Sequence, residues 1–202
     1  MRVLITGGPT REPLDPVRYL SNRSTGAMAF ALARAVVARG HEPLLVLGPA
    51  ERQPPVGVDV YAVETTGDML AAVLDLLPEV DAFLFAAAVC DYRPASRSQR
   101  KLKRGEIETI ELVENPDIAA EVGARRGDRP SAVFALETDD GVANAVRKLE
   151  HKNADLCVLN GPSAIGDDKA DFTLVWPDGR TSSLGVIDKD RLADILLDEM
   201  SL

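Results

Sequence analysis

Between Thr6 and Met28 the chain reads T-G-G-P-T-R-E-P-L-D-P-V-R-Y-L-S-N-R-S-T-G-A-M, a polar run whose residue types suit a phosphorylated ligand. Gly7 and Gly8 have no Cβ to hold a ligand off the backbone. Asp15 followed by Pro16 reads as the N-cap and first position of a short helical turn through Tyr19, a stiffened segment from which Arg18 and Asn22 would project. Ser24 or Thr25 can cap the next helix, and Gly26 leaves its first N–H groups accessible, which together describe an anion site. A second candidate group is A-A-A-V-C-D-Y-R-P, where Ala86, Ala87 and Ala88 leave room and Asp91 offers a carboxylate to an amide or hydroxyl. Two structural readings compete with it: helix–sheet packing for the alanines, and capping of the following loop for Asp91. The third group is S-R-S-Q-R-K-L-K-R-G-E, basic and without apolar periodicity. It is either a solvated face or a flap around residues 95–106 that brings a lysine to an anionic substrate.

Such groups need a frame, and hydrophobic patterning supplies one. Val3 to Ile5 is a short buried strand ending in glycine, and the apolar residues from Ala27 to Arg39 recur at helical spacing, with Gly40 as C-cap. Pro43 to Leu47, Val58 to Val63 and Asp81 to Val89 are further strands. A helix opened by Thr66, Gly67 and Asp68 and stopped by Pro78 lies between the last two. Ile107 to Val113 alternates and predicts a half-exposed strand that can pair with a partner subunit. Asn115 and Pro116 form the N-cap and first position of a helix to about Ala124.

Ser131 to Leu136 and Asp155 to Leu159 are strands on either side of a helix from Asp140 to Lys152, and Asn160 ends the second. That helix turns Val142, Ala145, Val146 and Leu149 inward. Lys148 and Lys152 lie one turn apart on one face, an arrangement that is usually solvated. Phe172 to Trp176 and Thr181 to Leu184 form a hairpin about P-D-G, and Ile187 to Met200 is a last amphipathic helix. Strand alternating with helix predicts an α/β fold: a Rossmann-like doubly wound, mostly parallel sheet with helices on both faces and an antiparallel element near the C-terminus. Ligands then belong at the carboxyl ends of the strands.

With 202 residues and 46% hydrophobic content the chain can bury one core, and residues 1–202 are read as a single domain. A formal net charge of −9 argues against a general nucleic-acid binder. No apolar run reaches a membrane span and the sequence starts directly in a strand, so a cytoplasmic protein is expected. Cys90 and Cys157 lack metal-binding spacing and suit the core; His41 and His151 are too isolated to suggest a base, and no metal ligand is assigned. The connection from first strand to first helix far exceeds the roughly 2–6 residues usual there, which marks it as functional. A dinucleotide fingerprint does not fit, since Gly8 and Gly26 lie too far apart for one tight turn.

With these residues assembled, the chain resembles the phosphopantothenoylcysteine synthetase family, enzymes or fused domains of bacterial coenzyme A biosynthesis. The likeness runs nearly end to end. It rests on the first motif above, on A-A-A-V-C-D-Y-R-P, K-L-K-R, E-N-P-D-I and F-A-L-E-T, and on K-L-E-H-K-N-A-D-L-C-V-L-N, in the family's order. It implies a ligase in which the carboxylate of 4′-phosphopantothenate attacks the α-phosphate of CTP, with Mg2+, to give an acyl-cytidylate and pyrophosphate, after which the amine of L-cysteine displaces CMP. By position it gives Asn22 the acyl intermediate and Lys101 its conversion to product. It assigns the nucleotide to Gly8, Ser24, Gly26, Ala86, Ala87, Asp91, Asn115, Pro116, Asp117, Ile118, Phe134, Lys148, Lys152 and Asn160. Arg18, Asn22, Ala87, Ala88 and Asp91 fall to the phosphopantothenate, with Arg18 reaching across a homodimer.

The resemblance also allows a separate decarboxylase as partner. Nothing precedes the first strand, so the flavin-binding decarboxylase domain often fused ahead is not expected in this chain, and neither is flavin. Three positions depart from the family: Arg104 ends the basic cluster in place of lysine, Ala27 stands where lysine often follows the glycine, and Gly161 to Lys169 is atypical. The alternatives are a nucleotide-binding homologue without catalysis and, further off, a NAD(P)-dependent reductase. A mere binder needs neither Asn22 nor Lys101, and the reductase would need a tyrosine–lysine pair where Tyr19 and Arg23 stand.

Overall fold

The computed structural model describes residues 1–50, 53–106, 108–137, 139–161 and 167–202. Its strands are β1 (Arg2–Gly7), β2 (Arg11–Pro13), β3 (Tyr19–Ser21), β4 (Glu42–Leu47), β5 (Asp59–Ala62), β6 (Ala82–Phe85), β7 (Tyr92–Pro94), β8 (Leu112–Glu114), β9 (Ser131–Leu136), β10 (Leu156–Asn160), β11 (Lys169–Val175) and β12 (Thr181–Asp188). Its helices are α1 (Ala27–Ala38), α2 (Thr66–Leu76), α3 (Ile118–Gly123), α4 (Gly141–Lys152) and α5 (Lys189–Glu199). Among the described residues, eight strands form one sheet in the order β12-β11-β10-β9-β6-β1-β4-β5. From β10 to β5 every pairing is parallel, and β11 and β12 close the other edge as an antiparallel hairpin. The doubly wound expectation is met. No helix among the described residues is long and apolar enough to cross a membrane.

Side-chain alternation along β1 divides the core. Val3 and Ile5 pack with Phe30, Leu32 and Val36 of α1 and with Leu192 and Leu196 of α5, while Leu4 turns the other way onto Met69 and Val73 of α2 and Ile118 and Val122 of α3. Further along that second face, Ala145 and Leu149 of α4 cover Val133 and Cys157. Chain order reverses at the centre, since β4 and β5 lie on one side of β1 and β6, β9 and β10 on the other. The carboxyl ends of β1 and β6 are therefore the switch point at which such sheets bind ligands.

Several local readings change. Asp15 and Pro16 start no helix, because the segment is a hairpin, β2 against β3, and Asp15 Oδ1 accepts the N–H groups of Val17 and Arg18 at its tip. Strand β6 stops at Phe85, and among the described residues of the alternating stretch only Leu112 and Val113 are strand, in β8, paired within the chain to β7. Residue 107 and the middle of the atypical Gly161 to Lys169 stretch lie outside the described residues. The cap of α3 is Asp117, accepting from Ala120 N, because the Asn115 side chain is drawn away to donate to Cys90 O at 2.8 Å. Neither Ser24 nor Thr25 caps α1. Its N-cap is Gly26, with φ 78° and no side-chain bond. Val142, expected inside, is 40% exposed, which leaves Ala145 and Leu149 as the buried seam of α4.

Gly7 and Gly8 serve packing. A Cβ on Gly7 would sit 2.4 Å from Ala29 Cβ of α1, and one on Gly8, at φ +73°, 2.8 Å from the Gly48 carbonyl oxygen. Gly48 is tighter still, with its ideal Cβ only 1.9 Å from the Pro9 carbonyl oxygen. Gly48→Ala must therefore push the long loop off the sheet edge, at an expected cost of about 2–3 kcal/mol. At roughly 2–4 °C per kcal/mol for a chain of this size, a thermal melt should show a fall of about 5–10 °C.

Candidate active site

A long polar loop can lie across a sheet edge only if its polar atoms find partners. Here they do. Thr10 Oγ1 accepts Cys90 N at 2.9 Å and shares a hydrogen bond with Thr66 Oγ1, while the buried Glu12 carboxylate accepts Thr66 N at 2.8 Å at the start of α2. Asn115 Nδ2 closes the network on Cys90 O, and Asn115 N donates to Asp91 O at 2.8 Å. Above it, Asn22 Nδ2 donates to the carbonyls of Ala88 and Val89 at 3.0 and 2.8 Å. The loop is thus fastened across the end of β6, with Asn22 held directly over it.

A cleft of about 870 Å³ opens beside this seam at the carboxyl edge of the sheet. Of the residues expected to bind ligand, Asn22, Ser24, Ala86, Ala87, Ala88, Asp91, Asp117, Ile118, Phe134, Lys148, Lys152 and Asn160 line it. Gly8, Gly26, Asn115 and Pro116 are not in the lining, Asn115 acting from behind through its bonds to Cys90 and Asp91. Arg18 and Lys101 are also outside it. Arg18 is tied to Asp15 and to Leu102 O of its own chain, and Lys101 is exposed on the adjoining loop.

The lysine pair of α4 is not ordinary surface. Lys152 Nζ contacts both carboxylate oxygens of Asp117 at 2.6 Å, and Lys148 Nζ donates to Phe134 O at 3.3 Å with Glu137 at 4.0 Å. Burial alone would raise the Asp117 pKa, but Lys152, the Ala120 N–H and the neighbouring His151 outweigh it and hold the carboxyl below its ordinary value. The Arg18 guanidinium does the same for Asp15 against the opposing effect of burial, aided by the N–H groups of Val17, Leu102 and Arg18. Cys157 is inert, its thiol pushed up to about 12 chiefly by burial, and burial likewise raises Cys90. Both cysteines are free and buried, as expected of core residues.

The lining also includes Arg23, Met28, His151, Phe172 and Lys189, which pattern reading did not single out for the site. Phe172 was legible only as one position of a hairpin, and Lys189 follows the cap of a distant helix. His151, set aside as isolated, stands at the cleft, 70% exposed and 3.7 Å from Asp117. Arg23, Lys148, Lys152 and Lys189 outnumber Asp91 and Asp117 in the lining, and although Lys152 is paired with Asp117 the cleft keeps a positive balance in a chain of net charge −9, suited to an anionic ligand. Among the described residues no cluster of His, Cys, Asp and Glu could by itself hold a metal ion.

The family model described as the DNA/pantothenate metabolism flavoprotein C-terminal domain matches residues 1–202. The coenzyme A biosynthesis bifunctional proteins CoaBC of Vibrio cholerae and Escherichia coli are 43% and 41% identical to the chain over 97% and 99% of it, and the match covers 51% of each. The chain therefore spans about half the length of these relatives. The crystal structure of the C-terminal domain of a CoaBC superposes with a TM-score of 0.85 at 35% identity, over 98% of this chain and 93% of that one.

Lys152→Met leaves burial acting on Asp117 with only the Ala120 N–H and His151 in opposition, so the Asp117 carboxyl should titrate at higher pH than in the parent, read by carbon NMR of the side chain. Because the parent pKa lies below the ordinary 3.8, the pair's stabilisation is complete above that pH and lost as pH falls through the lower folded value. The variant should show less of this acid-range loss.

Proposed function

Because the chain belongs to the family of DNA/pantothenate metabolism flavoprotein C-terminal domains, we propose that it is a ligase of coenzyme A biosynthesis, joining 4′-phosphopantothenate to L-cysteine at the expense of CTP in the cytoplasm. The observation that carries this reading is the cleft at the switch point, with a positive balance of side chains, lined by Ala86 to Ala88 and by Asn22 bonded to the carbonyls of Ala88 and Val89. A carboxylate cannot expel oxide and must first become an anhydride. The amine then displaces CMP, so the site has to manage negative charge twice.

In the first half-reaction Lys148, Lys152 and Arg23 offset the triphosphate charge while small residues admit the carboxylate to the α-phosphate. Ser24 lines the cleft together with Ala27 and Met28 of the first turn of α1, whose N-terminus has no side-chain cap. Asp91, Asp117, Ile118, Phe134 and Asn160 frame the nucleoside, with Phe134 as the aromatic face. Among the described residues no cluster of His, Cys, Asp and Glu could hold a metal ion, so magnesium, the usual companion of a triphosphate, would be brought in on the phosphates. Asn22 is held beside the reacting centre by two carbonyls, which take both of its amide hydrogens, so it would stabilise the acyl-phosphate by giving up one of these bonds and donating that hydrogen to the intermediate.

Lys101 serves the second half-reaction, its ammonium stabilising the charge that develops as cysteine attacks. Pyrophosphate release measured with 4′-phosphopantothenate and each nucleotide in turn, with and without cysteine, tests the whole reading, and CTP should be required. Lys101→Gln should still release pyrophosphate about once per site, while amide formation falls by roughly 10²-fold or more, the scale for losing one preorganised charge contact. If the variant releases no pyrophosphate, Lys101 acts on the triphosphate instead.

A homodimer completes the proposal. Val17, Tyr19, Tyr92, Ile110 and Leu112, 43–58% exposed, lie on or beside the two small sheets β2–β3 and β7–β8, an apolar surface suited to a second copy. Sedimentation at assay concentration should show a dimer, and a fully active monomer would exclude it.

A further inference from the structure

The Asp15 side chain is fully buried, and its two oxygens point to different parts of the chain. Oδ1 accepts Val17 N at 2.8 Å and Arg18 N at 2.9 Å and so closes the tip of the β2–β3 hairpin. Oδ2 leaves the hairpin, accepting Leu102 N at 3.1 Å together with the Arg18 guanidinium through Nε at 3.0 Å and Nη2. Arg18 Nη2 in turn donates to Leu102 O at 2.8 Å. Both backbone polar groups of one flap residue, the N–H and the C=O of Leu102, are therefore held by the same ion pair, and Ser98 N adds a bond to Leu14 O at 2.9 Å.

A carboxylate that only capped a turn would need neither Oδ2 contact. A buried charge is stable only while its donors stay in place, so undocking the flap would strip one donor from Asp15 and the Leu102 acceptor from Arg18. The flap itself is braced: Arg100 pairs with Glu106 at 2.9 Å, Lys103 N donates to Glu106 at 2.6 Å, and Ser98 Oγ donates to Arg100 O at 2.7 Å. Fixing Leu102 thus fixes a compact segment.

We propose that Asp15 and Arg18 form a clasp on the flap, with Asp15 a positioning residue that sets where Lys101, the neighbour of Leu102, stands. This rests on the proposed role of Lys101. Asp15→Asn keeps an oxygen for the hairpin tip and loses the charge that holds the clasp. The flap contains Arg97, Arg100, Lys101, Lys103 and Arg104, so trypsin reports its docking without any reference to activity. Cleavage there, followed by mass spectrometry under native conditions, should run roughly tenfold or more faster in Asp15→Asn, as expected for losing charge-assisted hydrogen bonds, with other sites unaffected.

Arg18→Gln removes the second half of the clasp and should show the same tryptic change; it decides the matter if Asp15→Asn does not fold. In ligation, Asp15→Asn should slow amide formation in the parent but by less than about twofold in the Lys101→Gln background, since both changes remove one function. Unchanged tryptic rates in both variants overturn the clasp, and equal losses in the two backgrounds overturn the positioning role. If the parent makes no amide, the proposed function fails with the role of Lys101, and the tryptic rates still judge the clasp.

Discussion

The structure depends on satisfying a polar loop laid over the end of a buried sheet. Each amide or hydroxyl left bare at that edge would cost about 1–3 kcal/mol, enough that a few would outweigh the gain from covering it. Thr10, Glu12, Thr66, Cys90 and Asn115 meet the demand as one network, joining the loop, the start of α2, the end of β6 and the approach to α3. Four elements distant in sequence are thereby brought to common positions around one cleft. The dense glycines of the region answer the same demand, since Gly48 and Gly8 pass within contact distances that no side chain tolerates.

What could be read in advance follows from how far each determinant reaches along the chain. The strands β1, β4 and β9 and the helices α1, α2 and α4 carry their patterns within a dozen residues, and the doubly wound order followed from their alternation. Where local signals erred, a contact from far away had claimed the residue. Asn115 would cap α3 on propensity, but Cys90 O takes its amide and the cap passes to Asp117. Asp15 and Pro16 carry a helix-start signature, yet strand pairing across the tip converts it into a hairpin turn. Lys148 and Lys152 read as solvated because nothing in α4 itself reveals that Phe134 and Asp117 stand opposite. Most of the cleft was visible as motifs, whereas Phe172 and Lys189 became neighbours only through the fold.

The charge distribution follows a related logic. In a chain of net charge −9, four basic side chains and two carboxylates, Asp91 and Asp117, are gathered at one concave edge. Low-dielectric walls focus such a field within the cleft. Asp117 shows how a carboxylate is tolerated there, since it caps α3 with one oxygen and pairs with Lys152 through both.

The pairing of α1 with α5 has a bearing on how the chain is made. One face of the central strand, with Val3 and Ile5, is shut off from water by a helix at the start of the sequence and by another nearly the whole chain later. During synthesis α1 can pack on β1 and β4 at once, but the part of its apolar surface that meets α5 waits, uncovered, while the remaining strands emerge, whereas the opposite face is covered by α2 much sooner. Contacts of such long separation slow folding and expose nascent surface to wrong partners. The first half of the sheet is thus expected to assemble from its α2 side, with docking of α5 as the late event that seals it.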